Sequence, residues 1–189
     1  MNLYLIRHTH PDVATGICYG QTNLDTTETF KIEAEAVKSN LKDIHFTHCY
    51  SSPLQRCFKL AKVLSGKKLI NTDNRLIEMN FGDWEMMTWD DIRKKEGVET
   101  WFNDFLHIPC PNGESYEQMI QRIQSFIQLI NVLPDDSEVL IVTHAGCIRS
   151  FLTLLKGEDP LKIFDRDIEF GEIIKLSSLP AVCHLGVSN

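Results

Sequence analysis

The stretch Val139-Leu140-Ile141-Val142-Thr143-His144-Ala145-Gly146 decides the fold. From Glu138 to Thr143 the chain reads as a strand with the continuous apolar run Val139-Leu140-Ile141-Val142 at its centre, the pattern of a strand buried on both faces. His144-Ala145-Gly146 then turns into a helix predicted over Cys147 to Leu155. A strand buried on both faces needs helices above and below its sheet, and the flanking segments supply them. Asn2 to Ile6 and Phe46 to Tyr50 read as further strands, and Glu28 to Leu41 as a helix. Ser52 reads as the cap of another helix with Pro53 at its first position, and Leu54, Cys57, Phe58, Ala61 and Leu64 form its apolar face. Ser115-Tyr116-Glu117-Gln118 is a capping box, followed by a long amphipathic helix marked by Tyr116, Met119, Ile120, Ile123, Phe126, Ile127 and Ile130. The pattern predicts an α/β protein: a three-layer α/β/α sandwich with a mostly parallel central sheet. Residues 81 to 112 hold all three tryptophans (Trp84, Trp89, Trp101) on weak periodicity and read as a short irregular lid insertion across one end of the sheet. With 189 residues and no internal repeat, the expectation is one domain spanning 1–189.

Nineteen Lys+Arg against 26 Asp+Glu give a net charge of −7, which disfavours nucleic acid as a partner. No apolar run approaches the roughly 20 residues of a membrane span. Leu3-Tyr4-Leu5-Ile6 follows Met1-Asn2 without a cation and is cut off by Arg7, so it reads as a strand and not a signal segment; the expected location is cytoplasmic. Six cysteines without a C-x-x-C pair read as buried free thiols. Nothing in the sequence signals an oligomeric state.

Ligands of open parallel sheets bind beyond the carboxyl ends of the strands, so the residues after the apolar runs are the candidates. Two of them are histidines: His8, after Leu5-Ile6-Arg7, and His144, after Val142-Thr143. His144-Ala145 also opens a helix, whose free N–H groups favour an anion. Arg56 falls in the first turn after Ser52-Pro53 and lies at the same end if the strands are parallel. Together with Arg7 it offers planar, permanently charged guanidinium groups suited to phosphoryl oxygens. Glu78, within Arg75-Leu76-Ile77-Glu78-Met79-Asn80-Phe81-Gly82, is a lone carboxylate in an apolar setting, which favours the protonated form that a general acid needs. Satisfied core histidines, a solvated arginine and an internally ion-paired Glu78 are the plainer alternatives.

Leu5-Ile6-Arg7-His8, Ser51-Ser52-Pro53-Leu54-Gln55-Arg56, Leu76-x-Glu78-x-x-Phe81-Gly82-x-Trp84-Glu85, Asn112-Gly113-Glu114-Ser115 and Val142-Thr143-His144-Ala145-Gly146 occur in an order that resembles the histidine phosphatase (phosphoglycerate mutase-like) superfamily. Gly82-Asp83-Trp84-Glu85-Met86, Trp101-x-Asn103-Asp104 and Cys18-Tyr19-Gly20-Gln21-Thr22 are most similar to the bacterial alpha-ribazole phosphatases of cobalamin nucleotide-loop assembly. The resemblance implies a phosphomonoesterase acting on a small molecule, without metal or other cofactor. It implies His8 as a nucleophile that becomes a transient phosphohistidine, and Arg7, Arg56 and His144 as holders of the phosphoryl oxygens. Glu78 would protonate the leaving alkoxide and then accept a proton from the hydrolytic water. An attacking His8 must be neutral, whereas a protonated His144 would hold phosphate better; the two arginines disfavour charge on both.

The family pattern has Gly after the nucleophilic His and an Asn a few residues on; here Thr9-His10-Pro11-Asp12 follows, and Ala14 falls near the Asn position. Gln21 or Thr22 is the expected substitute contact, with Ala145 also in the substrate-binding set. Phe30 and Met86 stand where Gly is usual. His8-x-His10-x-Asp12 also reads as the first shell of a metal-dependent hydrolase, completed by His144 and Glu78, although Arg7 beside it opposes a dication. A non-catalytic phospholigand-binding module would need neither His8 nor Glu78. A phosphoglycerate mutase or a broad-specificity sugar phosphatase is the nearest enzymatic rival. Between residues 81 and 112, however, the Lys and Arg residues are only Arg93, Lys94 and Lys95. Trp84, Met86, Met87, Trp89, Trp101 and Phe102 suit a flatter, less charged leaving group such as a nucleoside with an apolar base.

Overall fold

The protein is seen in a computed structural model that describes residues 1–177. A five-stranded sheet runs in the order β3-β2-β4-β1-β5. Its strands are β1 (Asn2–Arg7), β2 (His48–Ser51), β3 (Ile70–Thr72), β4 (Glu138–Thr143) and β5 (Ile173–Ser177). All neighbours are parallel except β5, which pairs antiparallel with β1.

Side chains alternate across the sheet and divide the core in two. Leu3, Leu5, Val139 and Ile141 face one cluster with α5 (Tyr116–Ile130) and α6 (Ala145–Lys156). Tyr4, Ile6, Leu140 and Val142 face the other, with α1 (Phe30–Asn40) and α2 (Gln55–Leu64). The three-layer α/β/α sandwich expected from the strand and helix pattern is the observed architecture.

The Ser115–Gln118 capping box is formed on both sides, and Met119, Ile123, Phe126, Ile127 and Ile130 are buried along α5. Cys18, Cys49, Cys57, Cys110 and Cys147 are buried free thiols; Cys183 lies outside the described residues. Among the described residues no helix is long and apolar enough to cross a membrane.

The differences from expectation have local causes. α2 starts at Gln55, not Pro53, because the Ser52 hydroxyl accepts from Leu54 N (3.3 Å) while also meeting His144, so Ser52 to Leu54 bends out of helical geometry. Leu60, outside the apolar face that the spacing predicts for this helix, is fully buried in α2. α6 begins two residues earlier than expected, directly after His144. β3 is a three-residue edge strand and β5 lies after the last periodic helix; neither was anticipated. The 81–112 segment is more regular than an irregular lid, with a 3₁₀ turn at Gly82–Trp84 and two short helices, α3 (Trp89–Arg93) and α4 (Val98–Asn103). Trp84, Ile92, Val98 and Cys110 join the core cluster on the α5 side.

Candidate active site

Register brings the ends of β2, β4 and β1 side by side: Arg7 pairs with Thr143, and Ser51 with Val142. Beyond them His8 N donates to Thr143 O (3.0 Å) and Ser52 N to Val142 O (3.0 Å), which extends the ladder by one residue and fixes the two backbones on either side of His144.

His8 is 2% exposed. Its Nδ1 lies 2.7 Å from Thr9 O, and a carbonyl can only accept, so the ring proton sits on Nδ1 and Nε2 carries the lone pair. Arg56 Nε donates to that lone pair at 3.3 Å. Burial, the Arg56 guanidinium and, more weakly, Arg7 hold His8 well below the usual imidazole range, so it is neutral.

Arg56 is fully buried, and its terminal nitrogens donate to Thr22 O (2.8 Å) and Gly20 O (2.7 Å). Arg7 donates to Ile168 O and lies against the Phe170 ring. Among the described residues neither arginine pairs with a carboxylate; the ion pairs all involve other side chains. A buried cation held only by neutral groups keeps its charge uncompensated, which is costly in isolation and favourable once an anion arrives. The Gly20–Thr22 loop that supplies these carbonyls is held by Glu85, which accepts from Gln21 N (2.7 Å) and Thr22 N (2.6 Å). A Cβ at Gly20 would stand 1.9 Å from Met79 O, so the loop can run there only with glycine. Gln21 Nε2 turns to Glu78 O (3.2 Å) and the Thr22 hydroxyl to Glu85; both residues lie beside the site with their side-chain donors engaged.

His144 is fully buried, with Nε2 2.9 Å from Ser52 Oγ and its ring centroid 5.0 Å from that of His8. Burial, then Arg56, then His8 push it well below the imidazole range, so it too is neutral in the free protein. Glu78 is half-buried and accepts from Met79 N (2.9 Å) and Gly146 N (3.2 Å), the latter at the start of α6. Ala145, also at that start, is 8% exposed. Arg122 fixes the Glu78 backbone from behind: it donates to Glu78 O (3.1 Å) and Arg75 O (2.6 Å) and pairs with Glu114 (2.8 Å).

The structure thus brings Arg7, His8, Arg56, Glu78 and His144 to one end of the sheet. The His8-His10-Asp12 metal reading fails on geometry: His10 is exposed and bound to Glu33 at 3.0 Å, and Asp12 is exposed. Among the described residues no group of His, Cys, Asp and Glu side chains converges as a metal site.

An aromatic cleft of about 410 Å³ is lined by Met79, Phe81, Trp89, Trp101, Phe102, Phe105 and Phe164, with Arg93 as its one charged lining residue among the described residues. Trp84, expected on such a face, is 3% exposed and lies beneath Trp101, edge to face at 5.0 Å. The sequence reading missed Ser52 as the partner of His144, and Arg122 and Phe170 as supports. Ser52 stands inside a quoted motif and was legible in principle; Arg122 and Phe170 reach the site only through tertiary contact.

The sequence profile of the histidine phosphatase superfamily (branch 1) matches residues 3–184. An adenosylcobalamin/alpha-ribazole phosphatase of Escherichia coli K12 is 30% identical over 162 residues, 83% of this chain and 80% of that protein. The crystal structure of the alpha-ribazole phosphatase from Shigella flexneri superposes with a TM-score of 0.86 at 25% identity, covering all of both chains. The native structure of a mycobacterial glucosyl-3-phosphoglycerate phosphatase shares the fold, with a TM-score of 0.80 at 21% identity over 92% of this chain and 88% of its own.

Proposed function

The chain belongs to the histidine phosphatase superfamily and is a phosphatase, and from that premise we propose that it hydrolyses alpha-ribazole 5′-phosphate through a phosphohistidine on His8. One observation carries the chemistry: a neutral, proton-free His8 Nε2 lies beside Arg56 and follows Arg7, two cations without acid partners among the described residues.

In this reading His8 Nε2 forms the P–N bond as the ester P–O bond breaks. The electron pair leaves on the alkoxide, and Glu78 in its protonated form supplies the proton. The Nδ1–H bond to Thr9 O supports the positive charge that the ring gains. Water then attacks phosphorus, Glu78 as carboxylate takes its proton, and the P–N bond breaks to return neutral His8 and inorganic phosphate. Arg7 and Arg56 hold the equatorial oxygens, with His144 beside them.

The alpha-ribazole assignment rests on the named relatives and on the aromatic cleft that reaches Met79, the residue after Glu78 in the chain, whose lining suits a flat, uncharged base better than the acid group of a glycolytic substrate. Steady-state turnover of alpha-ribazole 5′-phosphate beside a panel of sugar phosphates and 3-phosphoglycerate tests it. A kcat/KM for the ribazole ester at least tenfold above the panel is expected; equal values would make the protein a broad-specificity phosphatase. Chelator treatment should leave turnover of an aryl phosphate unchanged, and a loss that added zinc restores would overturn the phosphohistidine route.

A further inference from the structure

We infer that Phe170 is the positioning residue for Arg7, an inference that rests on the reading of Arg7 as a phosphate ligand. The two arginines of the site are held in different ways. Arg56 is fixed by directed hydrogen bonds to Thr22 O, Gly20 O and His8 Nε2. Arg7 donates to the Ile168 carbonyl, while its Nε is buried without a hydrogen-bond partner among the described residues. The Tyr19 hydroxyl also lies close to this guanidinium, and contacts of this kind at the edge of the group leave it free to tilt. Its face rests on the Phe170 ring, whose centroid lies 3.6 Å from Arg7 Cζ.

A ring suits this task better than a carboxylate. It attracts the cation through its π face, uses up none of the N–H donors, and leaves the charge available to a phosphoryl group. Phe170 is itself tied to the strand that carries the site. Gly171 N donates to Arg7 O (3.1 Å) and His8 O (3.2 Å), and Arg7 N donates to Glu172 O (3.1 Å). Gly171 has φ +76°, a left-handed conformation open to glycine at low cost. His10, anchored by Glu33, packs on the same ring at 4.3 Å, and the His8 ring lies 5.5 Å from it. The segment leading into β5 therefore sets the orientation of a group at the end of β1.

The test compares Phe170→Leu, Phe170→Tyr, Arg7→Ala and the double variant Arg7→Ala/Phe170→Leu in the full chain. It reads kcat and KM on an aryl phosphate, competitive inhibition by inorganic phosphate, and the thermal midpoint. Phe170→Leu should weaken phosphate inhibition and lower kcat/KM by roughly 5- to 30-fold, and Phe170→Tyr, which keeps the ring, should restore most of that loss. In the Arg7→Ala background Phe170→Leu should add less than about twofold, because the group it positions is gone. Equal losses for Leu and Tyr, or a Phe170→Leu effect undiminished in the Arg7→Ala background, would overturn the inference while leaving Arg7 as a phosphate ligand. Unchanged phosphate inhibition in Arg7→Ala alone would overturn the phosphate reading of Arg7, and the inference with it.

Discussion

Gly146 stands at the second position of α6, where a Cβ would lie 2.3 Å from Glu78 Oε1. Gly146→Ala should therefore displace the carboxylate while adding helix propensity, so function and stability are expected to part company. The expected loss in kcat/KM is on the order of 10²-fold for an alkyl phosphate, whose leaving group needs a proton, and less than about tenfold for a nitrophenyl ester, which does not. Equal loss on both, at an unchanged thermal midpoint, would assign Glu78 some task other than proton transfer. Met86 poses the opposite case. It is 49% exposed with φ +66°, a left-handed conformation that a side chain makes costly, at a position where the family resemblance has glycine. Relief of that strain outweighs the greater freedom of an unfolded glycine, so Met86→Gly should raise stability by about 0.5 kcal/mol. A lower urea midpoint for this variant would show that the Met86 side chain contributes packing that its exposure does not reveal.

At the scale of elements, the lid sorts its tryptophans by depth. Trp84 is nearly enclosed in the core cluster, and Trp84→Ala should cost about 3–5 kcal/mol of stability and depress turnover of every substrate alike. Trp101 and Trp89, stacked at 6.5 Å and lining the cleft, belong to a different class. Truncating either should reduce kcat/KM for a nucleotide-like ester by roughly 5- to 150-fold and barely change it for phenyl phosphate, as loss of one base stack would. Equal effects on both esters would reduce the cleft to lid packing. The element that supports Glu78 from behind can be tested too: Ser115→Ala removes the oxygen that accepts Gln118 N at the start of α5 and should cost about 1 kcal/mol in a denaturant midpoint.

Across the whole molecule, two fully buried neutral histidines make stability depend on pH in a defined window. His8 and His144 are held well below the value of 6.5 they take when unfolded, so below that pH the unfolded chain binds more protons and stability falls. Each can contribute up to about 1.4 kcal/mol per pH unit in that window. The carboxylates Glu33, Asp73 and Glu138 are also held low, but their stabilising contribution is lost only as pH falls below the usual carboxylate range, so the two effects separate. The urea midpoint should be flat above about pH 7 and decline from pH 6.5 to 5.5, and replacing both histidines with glutamine should flatten that decline. A decline that survives the double replacement would place its origin elsewhere in the chain.

Whatever depends on neighbours a few residues apart is legible in the sequence alone. The run from Glu138 to Thr143 required two covered faces, the capping box started α5 at Tyr116, and the residues after the strands were the ones placed at the carboxyl ends of the sheet. Periodicity reports which face of an element is buried, so it carried the layers and the candidate list. It could not carry β3 and β5, because a short edge strand and an antiparallel strand show their pairing only in a partner. Nor could it show that Arg7 rests on Phe170, that Ser52 meets His144, or that Arg122 holds Glu78. Those contacts join residues far apart in the chain, and their geometry follows from strand register and from the paths of loops, which no local pattern of apolar and polar residues encodes. The same holds for charge: the tertiary structure decided that both site arginines lie among carbonyls, rings and histidines instead of acids, because only the packed chain determines what surrounds a buried cation.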